Sequence, residues 1–321
     1  MRIYRDNRYL TSASRFKRNL VLTRKPSGAD TQMATRPRFG PAGVPPYFRE
    51  LGAELADVPL LLREEELDAF EYQASRWGQV PQMKQEHAEQ LGLEARKNDV
   101  LLSVHGSYFV NLAGTKEVLE GSKRRLIACA MGAQWMGAYV VVFHLGYYGP
   151  AGRAKSFSDC AQALKDVVQD MGVLGLRNVK LGPETMGKHV QVGSLEEILT
   201  LCETVEGTQL VIDWGHLHAR TGGRLKTADD FRAIAEQAEK RLGTDAVRNM
   251  HCHFSKIEFT KHGERRHHIL DEKRFGPDFE AFAKVIVDFK LHPVVICETP
   301  YLDVDSRKMR EVYLKTAGVS V

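Results

Sequence analysis

The 321-residue sequence lacks the features of several large protein classes. Its five cysteines are scattered and form no Cys-x-x-Cys pair, which argues against a disulfide framework and against a zinc ribbon. No apolar run approaches the roughly 18 to 20 residues of a membrane span, and the N-terminus has no apolar stretch typical of a secretory signal peptide. Together these absences predict a globular protein of the reducing cytoplasm.

Positive charge is concentrated near the N-terminus. Eight of the 45 Lys and Arg and two of the 41 Asp and Glu lie in residues 1–32, so this segment carries +6, while the remainder, with 37 bases and 39 acids, carries −2. We predict that residues 1–32 form a separate, flexible basic extension and that residues 33–321 form the catalytic domain. A basic arm, a targeting sequence and a start-codon artefact remain open as interpretations of the extension.

Eight short apolar runs alternate with segments of helical spacing. The predicted strands cover residues 38–44, 69–74, 100–105, 139–144, 178–184, 210–213, 249–254 and 294–298. The predicted helices cover residues 115–137, 155–172, 277–290 and 305–316. Two more helices are predicted to begin at capping-box sequences, at Ser194 and at Thr227. This alternation predicts an α/β fold, a (β/α)8 barrel, rather than an open sheet.

Six of the predicted strands end in or near His, Asp or Glu. In a parallel barrel these C-terminal strand ends meet at one face, where the catalytic residues of such barrels gather. A single histidine at such a position is more often structural than a ligand, but six such ends are hard to obtain by chance. Imidazoles and carboxylates are also the usual ligands of divalent metals. The residues are His105, His144, Glu184, Asp213, His251, His253 and Glu298, with His216 three residues after Asp213.

Seven short motifs contain these residues. In chain order they read VHGSYFVNLAG, FHLG, PET, IDWGH, MHCHFSK, RHH and CET. In composition and order they resemble the motifs of the endonuclease IV family of apurinic/apyrimidinic endonucleases, over the chain from Arg38 to the C-terminus. The resemblance implies a TIM barrel with a trinuclear zinc centre at the C-terminal ends of its strands. It also implies a monomer that incises double-stranded DNA 5′ to an abasic site, leaving a 3′-hydroxyl and a 5′-deoxyribose phosphate.

The resemblance also implies how the ligands divide among three ions. The first ion would be held by His105, His144 and Glu184. Glu184 would bridge to a second ion, which is held also by Asp213, His251 and Glu298. The third ion would be held by His216 and His267. Zinc is the expected metal, with two or three ions and with Mn²⁺ as an alternative in one site.

One position departs from the family pattern. The family has an aspartate two residues before the histidine of the RHH motif, and this sequence has Arg265 there. A guanidinium stays protonated and cannot bind a metal. Glu264, one residue earlier, is therefore a reserve ligand. His253 is a second reserve ligand, because the family often has a different polar residue at its position.

Divalent ions suit phosphodiester hydrolysis, because they activate water and neutralise phosphate charge. Glu298 is the preferred catalytic carboxylate for orienting the nucleophile, and the bridging Glu184 is the second. The resemblance assigns Tyr108 and Arg76 to the DNA lesion. Lys256, Arg265 and Arg266 are predicted to bind DNA phosphates. Further basic residues predicted on loops beside the site are Arg153, Lys155, Lys188, Arg220, Arg224 and Lys261.

Two other functions fit parts of the pattern. A sugar isomerase or epimerase would place similar residues around one or two divalent ions and act on a small polyol, although the many histidines favour zinc. A non-catalytic binder of damaged DNA would keep the barrel and lack the third ion, and the arginine at position 265 supports this alternative. Metal content and an incision assay distinguish the three functions.

Overall fold

The computed structural model describes residues 34–319 of the chain. The strands are β1 (Arg38–Pro41), β2 (Ala69–Gln73), β3 (Leu101–His105), β4 (Val140–Phe143), β5 (Lys180–Pro183), β6 (Val211–Asp213), β7 (His251–Phe254), β8 (Lys256–Thr260), β9 (Gly263–His268) and β10 (Val294–Cys297). The helices are α1 (Pro46–Glu50), α2 (Val58–Glu64), α3 (Gln85–Lys97), α4 (Lys116–Met136), α5 (Arg153–Val173), α6 (Leu195–Thr204), α7 (Trp214–Arg220), α8 (Ala228–Leu242), α9 (Thr244–Arg248), α10 (Phe279–Asp288) and α11 (Leu302–Thr316). The predicted extension at residues 1–32 lies outside the described residues.

Eight of these strands pair in parallel around a closed barrel. Two four-stranded sheets have the orders β1-β10-β7-β6 and β2-β3-β4-β5. Parallel bridges join their edges: Ala42 pairs with Glu71 between β1 and β2, and Glu184 pairs with Val211 between β5 and β6. Gly40 allows β1 and β2 to approach closely, because a Cβ there would lie 1.7 Å from the Ala69 carbonyl oxygen. The predicted (β/α)8 barrel is therefore confirmed.

Alternation along each strand fixes which side chains face the barrel interior. In β7, Cys252 and Phe254 pack outward in the layer between barrel and helices, so His251 and His253 point inward. In β10, Val295 and Cys297 pack outward, which turns the residue after the strand, Glu298, inward. Two clusters of apolar residues pack in the barrel interior beneath the strand ends: Ala69, Val294 and Ile296 in one, and Val140, Val142 and Val211 in the other.

The eight predicted strands and the helices between them are present, with ends that differ by a few residues. Both capping boxes form: Ser194 and Glu197 satisfy each other's backbone at the start of α6, and Thr227 and Asp230 do so before α8. The sequence patterns did not predict α3, α7 or the antiparallel hairpin of β8 and β9. No helix within residues 34–319 is long and apolar enough to cross a membrane.

Candidate metal centre

The predicted ligands meet at the C-terminal end of the barrel. His105 ends β3 and Asp213 ends β6, while His144, Glu184 and Glu298 directly follow β4, β5 and β10. A cavity of about 290 Å³ lies at this end of the barrel, and His105, His144 and Glu298 are in its wall. The cavity is lined by His105, Tyr108, Val110, His144, Gly146, Tyr147, Met186, Lys188, Gln191, His216, Glu264, His267 and Glu298. The strand order thus brings side chains from across the whole sequence into one site.

The first ligand group contains His105, His144 and Glu184. Their ligand atoms lie within 4.8 Å of one another, with Glu184 Oε2 3.1 Å from His144 Nε2 and 3.6 Å from His105 Nε2. His105 Nδ1 lies 3.0 Å from the carbonyl oxygen of Gly106 and donates to it. This hydrogen bond leaves the Nε2 lone pair facing the carboxylate, as in a metal-binding histidine.

The second group contains Glu184, Asp213, His216 and Glu298, also within 4.8 Å. Asp213 caps α7, because its Oδ1 accepts a 2.6 Å hydrogen bond from the backbone N–H of His216. Asp213 Oδ2 lies 3.5 Å from His216 Nδ1. Glu184 Oε1 lies 3.4 Å from the same nitrogen, so Glu184 belongs to both the first and the second group.

His253, and not His251, reaches this second group. His253 Nδ1 lies 3.0 Å from Glu184 Oε1 and 3.4 Å from Glu298 Oε1. His251 lies two residues earlier on β7, one layer deeper in the barrel, where it contacts Tyr139 and Glu71. The predicted ligand set with His251 thus stays a prediction, and the geometry favours the reserve ligand His253.

The third group contains His216, Glu264 and His267. His216 Nδ1 donates to the carbonyl oxygen of Thr185 at 2.9 Å, and its Nε2 lies 3.3 Å from Glu264 Oε2. His267 Nδ1 forms a 2.9 Å hydrogen bond with the Ser255 hydroxyl. The structure therefore brings together the two histidines predicted for the third ion and adds the reserve ligand Glu264.

A bulge in the hairpin explains how Glu264 takes the place of the expected aspartate. Between β8 and β9, Glu258 pairs with Arg266 while Phe259 pairs with Glu264, so Arg265 is an extra residue without a partner in the ladder. One extra residue reverses which positions face each side of a strand. Glu264 therefore faces the same side as His267, three positions later. Arg265 points away and pairs with Glu258 at 2.8 Å.

Two close contacts fix the hairpin against the loop that follows β5. Gly263 has a φ of +100°, and a Cβ there would lie 2.2 Å from the Gly187 carbonyl oxygen, so only glycine fits. Glu264 also donates its backbone N–H to that oxygen at 3.4 Å. Arg220 of α7 holds the loop from the other side, because its Nη1 donates to the carbonyl oxygens of Met186, Lys188 and Gln191 at 2.9–3.2 Å. Arg220 thus holds this loop in place.

Three buried carboxylate oxygens in the ligand groups have no hydrogen-bond donor within residues 34–319. They are Glu184 Oε2, Asp213 Oδ2 and Glu264 Oε2. A buried carboxylate oxygen without a donor is costly, and each ligand group contains at least one of these three residues. Lone pairs of oxygens and imidazole nitrogens converge here without the alignment of a hydrogen bond, which is the arrangement that a divalent cation satisfies. The donor set of nitrogen and oxygen atoms suits zinc.

The pKa values of the site residues are shifted because several carboxyl groups are buried close together. Burial, together with the carboxylates of Glu184 and Asp213, raises the pKa of Glu298 to about 7, although His253 opposes the shift. Burial alone would raise the pKa of Glu184, but its imidazole neighbours, led by His253, hold it well below the ordinary value. Burial lowers the pKa of His216, yet Asp213 and Glu264 outweigh it and raise that pKa well above its ordinary value. Without a bound cation, the neighbouring carboxylates therefore favour a protonated His216, whereas burial lowers the pKa of His144 and that of His267.

The residues predicted to contact DNA are placed differently from one another. Tyr108 is 55% exposed and stacks on His144 with 5.6 Å between ring centroids, so it forms part of the cavity wall. Arg76 and Arg266 are exposed, and Arg265 is exposed but paired with Glu258. The Lys256 side chain is only 7% exposed, and its ammonium group lies 2.8 Å from Asp278. Lys256 is therefore not oriented toward a DNA phosphate.

Lys188, one of the basic residues predicted on loops beside the site, lines the cavity with its Nζ 3.9 Å from Glu264 Oε1. Sequence reasoning missed one feature of the site. Glu71 is fully buried inside the barrel, where it contacts both histidines of β7. The signal for Glu71 was present, because an acid stands between two aromatic residues in the predicted strand AFEYQ. It lies in the middle of its strand, however, and not at the strand end where the ligands of such barrels are expected.

Comparisons with known proteins agree with this geometry. A family model described as xylose isomerase-like TIM barrel matches residues 60–316. An uncharacterized protein of Methanocaldococcus jannaschii is 34% identical over 276 residues, covering 86% of this chain and 96% of that protein. A probable endonuclease 4 of Staphylococcus carnosus is 28% identical over 232 residues, covering 69% of this chain and 75% of that protein. The crystal structure of endonuclease IV from Thermus thermophilus superposes with a TM-score of 0.65 at 20% identity, covering 82% of this chain and 94% of that one. Because the family model spans most of the chain, the protein belongs to the xylose isomerase-like TIM barrel family.

Proposed function

We propose that this protein is a zinc-dependent DNA-repair endonuclease that hydrolyses the phosphodiester 5′ to an abasic site. The observation that carries the proposal is the arrangement of three ligand groups around one cavity, two of which share Glu184. Neighbouring divalent ions suit the hydrolysis of a phosphodiester, whose charge is divided between an attacking and a leaving oxygen. The similarity to proteins named probable endonuclease 4 adds support.

Each residue at the cavity would have a separate role in the proposed hydrolysis. Bound divalent ions would supply activation of water and neutralisation of phosphate charge. Glu298 would orient the attacking water, since its carboxylate lines the cavity and lies between His253 and His267, 3.4 Å and 3.8 Å away. Tyr108 would hold the sugar that faces it, because an abasic nucleotide that leaves the helix needs a flat surface to rest on. Lys188 would contribute positive charge at the cavity wall.

The donor set also bears on the two alternatives. Glu264 gives the third group a carboxylate, so the arginine at position 265 no longer favours a non-catalytic binder. A sugar isomerase or epimerase would need one or two ions, and three groups rich in histidine favour a zinc cluster. The expected metal content is therefore two or three zinc ions per chain, measured by mass spectrometry of the purified protein.

The decisive experiment is an incision assay with zinc-loaded protein. The substrate is a duplex with one abasic site, and the control is the same duplex intact. We expect cleavage 5′ to the abasic site only. Glu298→Ala should lower the rate by roughly 10²- to 10⁴-fold, and wild-type rates with full metal content would remove Glu298 from the catalytic role. No cleavage above the intact control would refute the proposed function, and binding without cleavage would identify a damage binder.

A further inference from the structure

A buried carboxylate lies directly beneath the candidate metal centre. Glu71 of β2 faces β7 across the barrel interior, with one oxygen 3.1 Å from His251 Nε2 and the other 3.1 Å from His253 Nε2. All three side chains are fully buried. Strands β2 and β7 are not neighbours in the barrel, so this contact connects two opposite walls of its interior.

This deeper cluster differs from the three ligand groups because its hydrogen bonds are complete. The Ser103 hydroxyl donates to Glu71 Oε2 at 2.9 Å, and the Tyr139 hydroxyl lies 2.6 Å from His251 Nδ1. Within residues 34–319, no side-chain nitrogen or oxygen of Glu71 or His251 is buried without a hydrogen bond. A cation is therefore not needed to satisfy these atoms, and the cluster acts as a support rather than as a fourth ion site.

The support determines the orientation of one imidazole. His253 Nε2 donates to Glu71, which leaves the Nδ1 lone pair facing Glu184 Oε1 at 3.0 Å and Glu298 Oε1 at 3.4 Å. A carboxylate that accepts from the remote nitrogen of a ligand histidine fixes the tautomer and raises the basicity of the ligating nitrogen. His251 uses its Nε2 for Glu71 and its Nδ1 for Tyr139, so it has no nitrogen free to bind a metal.

We propose that Glu71 is a positioning residue that makes His253, rather than His251, the imidazole ligand of the ion shared by Glu184 and Glu298. The proposal rests on the metal centre of the proposed function and not on its DNA substrate. Glu71 touches neither the cavity nor a substrate, and it acts only through the orientation of His253.

The test is Glu71→Gln in the full chain, with zinc affinity measured by chelator competition in the absence of DNA. A glutamine has the same shape but no negative charge, and its amide nitrogen donates instead of accepting, so it polarises the His253 imidazole less than the carboxylate does. We expect roughly 10- to 100-fold weaker affinity for one ion, and unchanged affinity for the others. Ser103→Ala is the matched control, because it removes a partner of Glu71 without touching either histidine, and it should keep wild-type affinity.

Two further variants identify the ligand itself. His253→Ala should lose one zinc ion per chain, while His251→Phe should keep the wild-type number. If Glu71→Gln does not fold, Glu71→Asp keeps the charge but shortens the reach, and weaker binding of one ion is again expected. Wild-type affinity for every ion in a folded Glu71 variant would overturn the proposal, as would loss of an ion in His251→Phe but not in His253→Ala. A protein that failed to cut abasic DNA would still give a clear result here.

Discussion

The carboxyl group of Glu65, at the end of α2, is expected to make the protein less stable as the pH rises. It lies beside Asp303 in the first turn of α11, and burial together with this second acid raises the pKa of Glu65 to about 7, with Arg307 opposing. The ordinary value is 4.5. Because the folded-state pKa is the higher one, the protonated group stabilises the fold fully below about pH 4.5, and this stabilisation is lost as the pH rises through about 7.

The size of the effect follows from the two pKa values. A difference of about 2.5 corresponds to at most roughly 3.4 kcal/mol. Because the side chain is only half-buried, screening by solvent reduces this to about 1–2 kcal/mol. Glu65→Gln removes the charge, so at pH 8 we expect its free energy of unfolding to exceed that of the wild type by about 1–2 kcal/mol. At pH 5 the difference should be much smaller.

Urea unfolding at pH 5 and pH 8 measures this difference. Both proteins should be kept in chelator, so that bound metal does not contribute to stability. Glu64→Gln, at the exposed neighbouring position, is the matched control and should follow the pH dependence of the wild type. The reasoning would be refuted if Glu65→Gln were less stable than the wild type at pH 8, or if its advantage were the same at both pH values.

Three further predictions concern the third ligand group and its surroundings. Glu264→Ala should reduce the zinc content by one ion per chain while Arg265→Ala leaves it unchanged; the reverse result would show that the bulge does not select the ligand. Gly187→Ala should weaken binding of the same ion in chelator competition, because a Cβ there would lie 2.6 Å from the Glu264 Cβ, and unchanged affinity would contradict this close contact. Lys256→Ala should lower the free energy of unfolding in urea by about 1–2 kcal/mol, since the Lys256 ammonium group is paired with Asp278 inside the protein. The salt dependence of DNA binding should not change. A shallower salt dependence at unchanged stability would instead indicate that Lys256 contacts a phosphate.

Much of the barrel was predictable because strands have a period of two and short apolar runs are easily recognised. The same period shows why His105 and Glu298 point to the same cavity from strands on different walls. The position of His251 was harder to predict, since a period of two places His251 and His253 on one face without saying which lies at the depth of the ions. That depth depends on the pairing register of β7 with β10, a tertiary property.

The hairpin was not predictable for a related reason. Its second strand, GERRHH, is polar, and its role depends on which residues face inward. A bulge of a single unpaired residue reverses which side chains of the strand face inward. Nothing in the local sequence around Arg265 indicates that this residue is the unpaired one. Glu71 was missed because metal ligands are expected at strand ends, whereas this acid lies in the middle of β2 and contacts the histidines of β7 beneath the candidate metal centre.

The bulge at Arg265 has a consequence for how related chains are compared. A column-by-column alignment scores the third site as lost, since the column of the expected aspartate holds an arginine. In three dimensions the carboxylate is still present, supplied from the neighbouring column by one additional residue in the hairpin. Shortening or lengthening such a hairpin by one residue would therefore move the carboxylate between these two sequence positions while keeping it on the side that faces the site. The absence of the expected residue from an alignment column is thus weaker evidence for a lost metal site than the absence of any carboxylate on that side of the hairpin.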